Sequence, residues 1–227
     1  MNDSAPLTKV RIWDLPVRVF HWLLALAVVA LVITGKVGEA ALTWHMRIGL
    51  LVGALLAFRL VWGVVGGRWS RFTAFVYHPK SVWRYLKGDH RPDDHFEVGH
   101  NPLGSFSVFA LLGLLMVQVV TGTLADDEVA TVGPLNRLVS TATGLAATGW
   151  HKGWGQQLLI VLVALHVAAV AWYRFKGKNL VRPMVTGDKD LPPGVPAATD
   201  SPLTRLLALV VVVVCVLGSV WVARLGS

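Results

Sequence analysis

Charged residues are scarce in this chain of 227 amino acids: they fill 15% of positions, where a soluble domain of that length carries about 25%. The deficit is uneven, because five long stretches hold almost none of them. Together with a positive mean hydropathy, that pattern excludes an ordinary soluble fold and points to a membrane. Cysteine is almost missing too. Cys215 stands alone inside an apolar run, so no internal disulfide can form, and no Cys-x-x-Cys-His motif offers a covalent cofactor anchor. Cys215 itself reads as a small packing or lipid-facing residue.

What is present begins with five apolar runs. A membrane helix needs roughly 20 mainly apolar residues. Val17–Thr34, Trp44–Val64, Gly104–Gly122, Trp154–Trp172 and Leu203–Ala223 qualify. The first and third end in Thr34-Gly35 and Thr121-Gly122, where glycine can stop a helix. A stretch with Pro183, Pro192, Pro193, Pro196 and Pro202 precedes the fifth run and should not be regular helix. The first run is a poor signal peptide, since Gly38-Glu39-Ala40-Ala41 is a weak cleavage site, so it is read as a retained span.

The net charge of +8 could suggest nucleic acid, but the basic residues lie in short loops between apolar runs rather than on one face. Topology accounts for them, and nucleic-acid binding is set aside. With the N-terminus cytoplasmic, that side holds Lys9, Arg11, Arg18, Arg68, Arg71, Lys80, Arg84, Lys87, Arg91, Arg174, Lys176, Lys178, Arg182 and Lys189. The opposite side holds Lys36, Arg47, Arg137, Lys152 and Arg224, with Arg59 and Arg205 at cytoplasmic span ends. Fourteen against five is a positive-inside bias, and it puts the C-terminus outside.

Four histidines, His21, His45, His151 and His166, lie in or at the edges of spans one, two and four. A polar group in hydrocarbon needs a partner. Singly, His45 and His151 could be plain interfacial residues; the arrangement says more. His151 and His166 are fifteen residues apart on what reads as one helix, within about 60° of each other and about 22 Å apart along the axis. His45 opens span two level with His151, and His21 opens span one level with His166. Two facing pairs result, one per leaflet. Zinc wants three or four protein ligands, and no Cys, Asp or Glu accompanies either pair. A flat macrocycle needs two axial ligands and an apolar slot, so haem, held without covalent bonds, fits.

Gly49 and Gly53 follow His45 at i+4 and i+8, and Gly155 follows His151 at i+4. Missing side chains there would let a porphyrin approach, although a glycine-based helix contact explains them equally well. Arg47 and Lys152 are placed for the propionates of an outer haem, Arg18 and Arg59 for those of an inner one; interfacial snorkelling is the plainer alternative for each. His78, His90 and His95 fall in a polar loop and read as solvated. His100, just before span three, could contact a quinone or a propionate, but its interfacial place favours a helix cap.

The segments Arg18-Val-Phe-His21-Trp22, His45-Met-Arg-Ile-Gly49, His78-Pro-Lys-Ser-Val-Trp-Arg-Tyr-Leu-Lys-Gly88, Gly99-His-Asn-Pro-Leu-Gly104 and Leu165-His166 resemble prokaryotic cytochrome b561 and the related b-type cytochrome subunit of nickel–iron hydrogenases. The likeness covers about residues 11–187. It implies an all-α transmembrane bundle with a four-helix core and two bis-histidine haems b, His21 with His166 and His45 with His151. It also implies a bacterial cytoplasmic membrane, and electron exchange between the quinone pool and a partner redox protein, such as a c-type cytochrome or an oxidoreductase subunit. Self-association stays open.

The expected organisation is a di-haem domain over 1–187, a Pro-rich linker over 188–202 and an additional span over 203–223. The outer loop of about Thr123–Trp150, with Asp126, Asp127 and Glu128, is the expected docking surface. Two rival readings fit the same spans. A proton-coupled transporter would usually carry intramembrane carboxylates, and none lies in these spans, although Gln118 and Arg59 are polar. A haem-free membrane anchor subunit is the other.

Overall fold

A computed structural model of the chain describes residues 6–89, 94, 96–128 and 131–226. His90, Arg91 and His95 fall outside them. The elements in chain order are β1 (Thr8–Arg11), α1 (Leu15–Val37), α2 (Glu39–Val65), α3 (Pro79–Lys87), α4 (Pro102–Leu124), α5 (Thr141–Lys152), α6 (Trp154–Phe175), α7 (Val181–Thr186), β2 (Asp188–Leu191) and α8 (Pro202–Arg224). Five long apolar segments, α1, α2, α4, α5 with α6, and α8, are of a length and composition to cross a membrane, and the fold is a transmembrane helical bundle.

The helix boundaries have local causes. Proline opens α3, α4 and α8, where its missing N–H costs nothing. Asn101 caps α4 by accepting from the Gly104 amide at 2.8 Å, and Ser201 caps α8 by accepting from the Thr204 amide at 3.2 Å. The cap expected of His100 is therefore made by its neighbour. Neither Thr-Gly pair ends its helix: α1 runs to Val37 and α4 to Leu124. The left-handed glycine after α1 is Gly38, at φ +81°. Pro183 likewise sits inside a helix, the six-residue α7. It is the third residue there, and a first-turn proline removes an N–H that has no partner within the helix.

The contacts divide the chain into two units. The first comprises residues 6–19, 60–109 and 166–208. Its core is polar as well as apolar. Asp14, fully buried, caps α1 by accepting from the Val17 amide at 2.9 Å, and it also accepts from Trp62 Nε1, the Gly67 amide and Ser70 Oγ. β1 and β2 pair antiparallel, with Thr8 opposite Leu191 and Arg11 opposite Asp188. Arg11 bridges Asp188 and Asp200, Arg205 also holds Asp200, and Trp69 Nε1 donates to the Pro196 carbonyl. Residues 188–201 are thus strapped onto the N-terminal strand rather than running free. The same unit holds α3, no residue of which is buried.

The second unit comprises residues 20–59, 110–165 and 209–226. Phe20 packs near Phe58 with ring centres 6.2 Å apart, and Val52, Ala54, Leu55 and Leu56 of α2 are buried. Ser219 of α8 donates to the Leu50 carbonyl of α2 at 2.7 Å. In hydrocarbon such a bond satisfies a hydroxyl that water cannot reach.

Candidate functional site

His45 sits nearly two turns into α2, and His151 lies in the last turn of α5. The fold brings their rings together, with centres 5.9 Å apart and planes perpendicular. One expectation fails here. His151 and His166 do not share a helix, because the chain breaks at Gly153 (φ −96°, ψ −115°) between α5 and α6. A Cβ at residue 153 would stand 2.5 Å from the Gly149 carbonyl oxygen, so the break depends on glycine. The 60° relation calculated for a continuous helix does not apply.

Each imidazole rests in a seat made by another helix. His45 Nδ1 lies 3.2 Å from the Leu31 carbonyl and 3.2 Å from Thr34 Oγ1, both on α1. His151 Nδ1 lies 2.9 Å from the Gln118 carbonyl and 3.5 Å from Thr121 Oγ1, both on α4. The threonine protons are already directed along their own helices: Thr34 donates to Ala30 at 2.8 Å and Thr121 to Val117 at 2.7 Å. Their oxygens, like the carbonyls, can then only accept from the rings. Nδ1 must be the protonated nitrogen in both histidines, which leaves each Nε2 with a free lone pair.

Glycine completes each seat. A Cβ at Gly35 would lie 3.3 Å from His45 Cε1, and one at Gly122 would lie 2.9 Å from His151 Cε1. Two carbonyl–threonine–glycine seats, on α1 and α4, were invisible to a reading of spans alone. The signal was the repeated Thr-Gly dipeptide.

The residues fit a bis-histidine haem. One ion bonded to a nitrogen of each ring at about 2 Å needs ring centres about 6 Å apart, close to the spacing present. Ligation through Nε2, with Nδ1–H given to a backbone carbonyl, is how a ligand histidine is usually oriented. Among the described residues no group of three or more His, Cys, Asp or Glu gathers as a metal-ion site.

The glycines expected on the ligand stripe divide. Space opposite Gly49 is open, as a porphyrin edge would require. A Cβ at Gly53 would instead meet Val119 Cγ1 at 3.3 Å, and one at Gly155 would collide with Gln118 Oε1. Those two are helix contacts against α4. Gln118 also donates from Nε2 to the His151 carbonyl at 3.2 Å, so it holds both the end of α5 and the ring.

Arg47 is exposed, its guanidinium 5.2 Å from the centre of the Trp44 ring. Lys152 is exposed beside His151. Arg59 is buried in α2, and Arg18 donates to the Val185 carbonyl. His21 is half-buried, its ring edge-on to Trp22 at 5.2 Å, and His166 is half-buried in α6.

His100 lies between Trp13 and Phe75, with ring centres 4.8 and 4.7 Å away, and its carbonyl accepts from the Tyr77 hydroxyl at 2.6 Å. Burial first, then the Asp94 charge, raises the Tyr77 phenol above its ordinary 10, so it remains a donor. In the acidic trio, Asp126 and Asp127 accept from the Glu128 and Thr131 amides at 2.9 and 2.8 Å, so these two carboxylates also shape the turn. The rest of Thr123–Trp150 is not all loop, because α5 begins at Thr141.

Residues 12–187 match the family model for prokaryotic cytochrome b561. The chain is 28% identical over 191 residues to a probable Ni/Fe-hydrogenase 1 B-type cytochrome subunit of Escherichia coli (strain K12), a match covering 69% of this chain and 80% of the other. It is 28% identical over 211 residues to the probable Ni/Fe-hydrogenase B-type cytochrome subunit of Cupriavidus necator (78% and 85% covered). It is 24% identical over 217 residues to that of Rhodobacter capsulatus (80% and 82%). No solved structure matches the chain.

Proposed function

Because the chain belongs to the prokaryotic cytochrome b561 family, whose members move electrons in membranes through haem b, we propose that it carries two haems b and passes electrons between a quinone pool and a partner redox protein. His45 with His151 would hold one haem and His21 with His166 the other. The observation that carries this reading is the pair of imidazoles at 5.9 Å, each with Nδ1 against a backbone carbonyl, so that Nε2 keeps its lone pair. For the His21 and His166 pair, support comes from the sequence pattern and the family.

When bound, haem held by these histidines would supply a one-electron couple, which suits electron transfer. The chain's own residues orient the ligands, keep water from them and set their basicity. Gly49 gives clearance beside His45, and Arg47 and Lys152 are proposed propionate partners for that haem, Arg18 and Arg59 for the other. His100, between two aromatic rings, is proposed to contact a quinone headgroup or a propionate.

The relatives are named as hydrogenase cytochrome subunits, so the proposed partner is an oxidoreductase subunit or a c-type cytochrome. The loop with Asp126, Asp127 and Glu128 is the proposed docking surface, in a bacterial cytoplasmic membrane with the N-terminus inside and the C-terminus in the periplasm. Residues 1–187 are proposed to form the di-haem domain, with α8 an addition to it.

The test is a dithionite-reduced absorption spectrum of the purified protein with its haem content. Two low-spin b-type haems are expected. His151→Ala should lose one and His166→Ala the other. Colourless protein after haem-replete expression would defeat the proposal and leave the anchor or transporter readings. Loss of both haems from either variant, with the fold intact, would refute the pairing.

A further inference from the structure

We propose that Thr34–Gly35 and Thr121–Gly122 are positioning pairs that set the orientation and basicity of His45 and His151, with the two helices dividing the task unequally. The inference rests on the haem reading above, but it concerns residues which that reading does not use.

The two seats are built alike. Each has a carbonyl three residues before its threonine, a threonine whose proton is spent on the carbonyl four residues back, and a following glycine against ring carbon Cε1. A side chain at the glycine would press on the ring and push it from the carbonyl, strongly at residue 122 and slightly at residue 35. The Thr-Gly order therefore gives clearance and an extra acceptor on the same side of one turn. Every acceptor on Nδ1–H draws the proton outward and strengthens Nε2 as a donor to iron. Stronger donation favours the ferric state and lowers the reduction potential.

The distances rank the residues. At His45 the hydroxyl and the carbonyl stand equally at 3.2 Å, so Thr34 supplies half of the acceptor set. At His151 the carbonyl at 2.9 Å dominates, and Thr121 at 3.5 Å lies at the limit of a hydrogen bond. The steric ranking runs the other way. A methyl at residue 122 falls 2.9 Å from the ring, which real carbon contacts do not tolerate, while one at residue 35 falls at 3.3 Å and needs only a small displacement. Loss of a hydroxyl should therefore matter most on α1, and gain of a methyl most on α4.

Four variants of the full chain test this crossed order: Thr34→Val, Thr121→Val, Gly35→Ala and Gly122→Ala. Gly113→Ala serves as a control on α4, where the Cβ position meets nothing within 4 Å. The readouts are haem per chain, the potentials from a redox titration, and the low-spin electron paramagnetic resonance signals of the two haems. Thr34→Val should raise one potential and leave the second unmoved, Thr34→Ser should restore it, and Thr121→Val should move either potential less. Gly122→Ala should lose or broaden one low-spin signal, with Gly35→Ala milder and Gly113→Ala unchanged.

Wild-type potentials and signals in Thr34→Val and Gly122→Ala, in protein that elutes as a single folded species, would overturn the inference. If Gly122→Ala fails to fold, the Thr34→Val and Thr34→Ser pair decides it. A wild-type protein without haem would instead defeat the function on which it rests.

Discussion

Asp14 accepts four hydrogen bonds while fully buried, from the Val17 and Gly67 amides, Trp62 Nε1 and Ser70 Oγ. A residue before a helix commonly serves as its cap; this one also joins α1 to the end of α2 and to the turn after it. Alanine at 14 would leave buried donors unmet, and each such donor costs about 1–3 kcal/mol. Allowing for relaxation, Asp14→Ala should lower stability by roughly 3 kcal/mol. Asp14→Asn should fall between it and wild type, since an amide keeps one acceptor but turns its NH₂ toward donors. Thermal unfolding in detergent checks the order. An Asp14→Ala midpoint equal to wild type would mean water enters and satisfies the site.

At the scale of elements, the break between α5 and α6 decides where His151 points. The sequence places Gly153 and Gly155 in an apolar run, where glycines read as packing residues. Only the fold shows that residue 153 ends one helix and that its hydrogen faces the Gly149 carbonyl. Gly153→Ala should therefore displace α5 relative to α6 and weaken the haem proposed for His45 and His151, leaving the second proposed haem in place. The check is haem per chain with the reduced spectrum. A Gly153→Ala protein with wild-type haem content would show that the break tolerates a side chain.

The apolar spans were legible because burial in lipid requires only local composition and length. Their ends were less so. Thr34-Gly35 and Thr121-Gly122 look like terminators, yet both continue as helix because the threonine hydroxyl bonds its own helix and the glycine is needed by a ring on another. His45 and His151 could be matched from topology, since consecutive spans reverse direction. Their Nδ1 partners could not, since a backbone carbonyl on a neighbouring helix leaves no mark in composition.

For the whole molecule, the strap 188–201 ties the N-terminal strand to the start of α8 through Asp200, which faces Arg11 and Arg205. Burial alone would raise the Asp200 carboxyl. The hydrogen bonds from Arg205 and the Leu15 amide, and the charges of Arg205 and Arg11, outweigh that and hold it below its ordinary 3.8. A depressed carboxylate contributes stability above its unfolded-state value and loses it as pH falls through the folded one. The strap should stay closed at neutral pH and loosen as the medium is acidified below about pH 4. Limited proteolysis within 188–201 across that range checks this with an acid-active protease. Asp200→Asn should be cleaved readily at every pH, and acid-independent protection in wild type would contradict the assignment.

Composition by itself determined that this chain lives in a bilayer, that its helices number about five long apolar segments, and that four histidines stand among them. Those follow from the cost of exposing polar groups to hydrocarbon, which each segment meets alone. Tertiary structure decided which ring nitrogen is protonated, which glycines clear the histidines and which merely pack, and that a buried aspartate and a strapped linker hold the first unit together. These depend on groups brought close from distant positions, and directional hydrogen bonds and close contacts exist only once the helices have met.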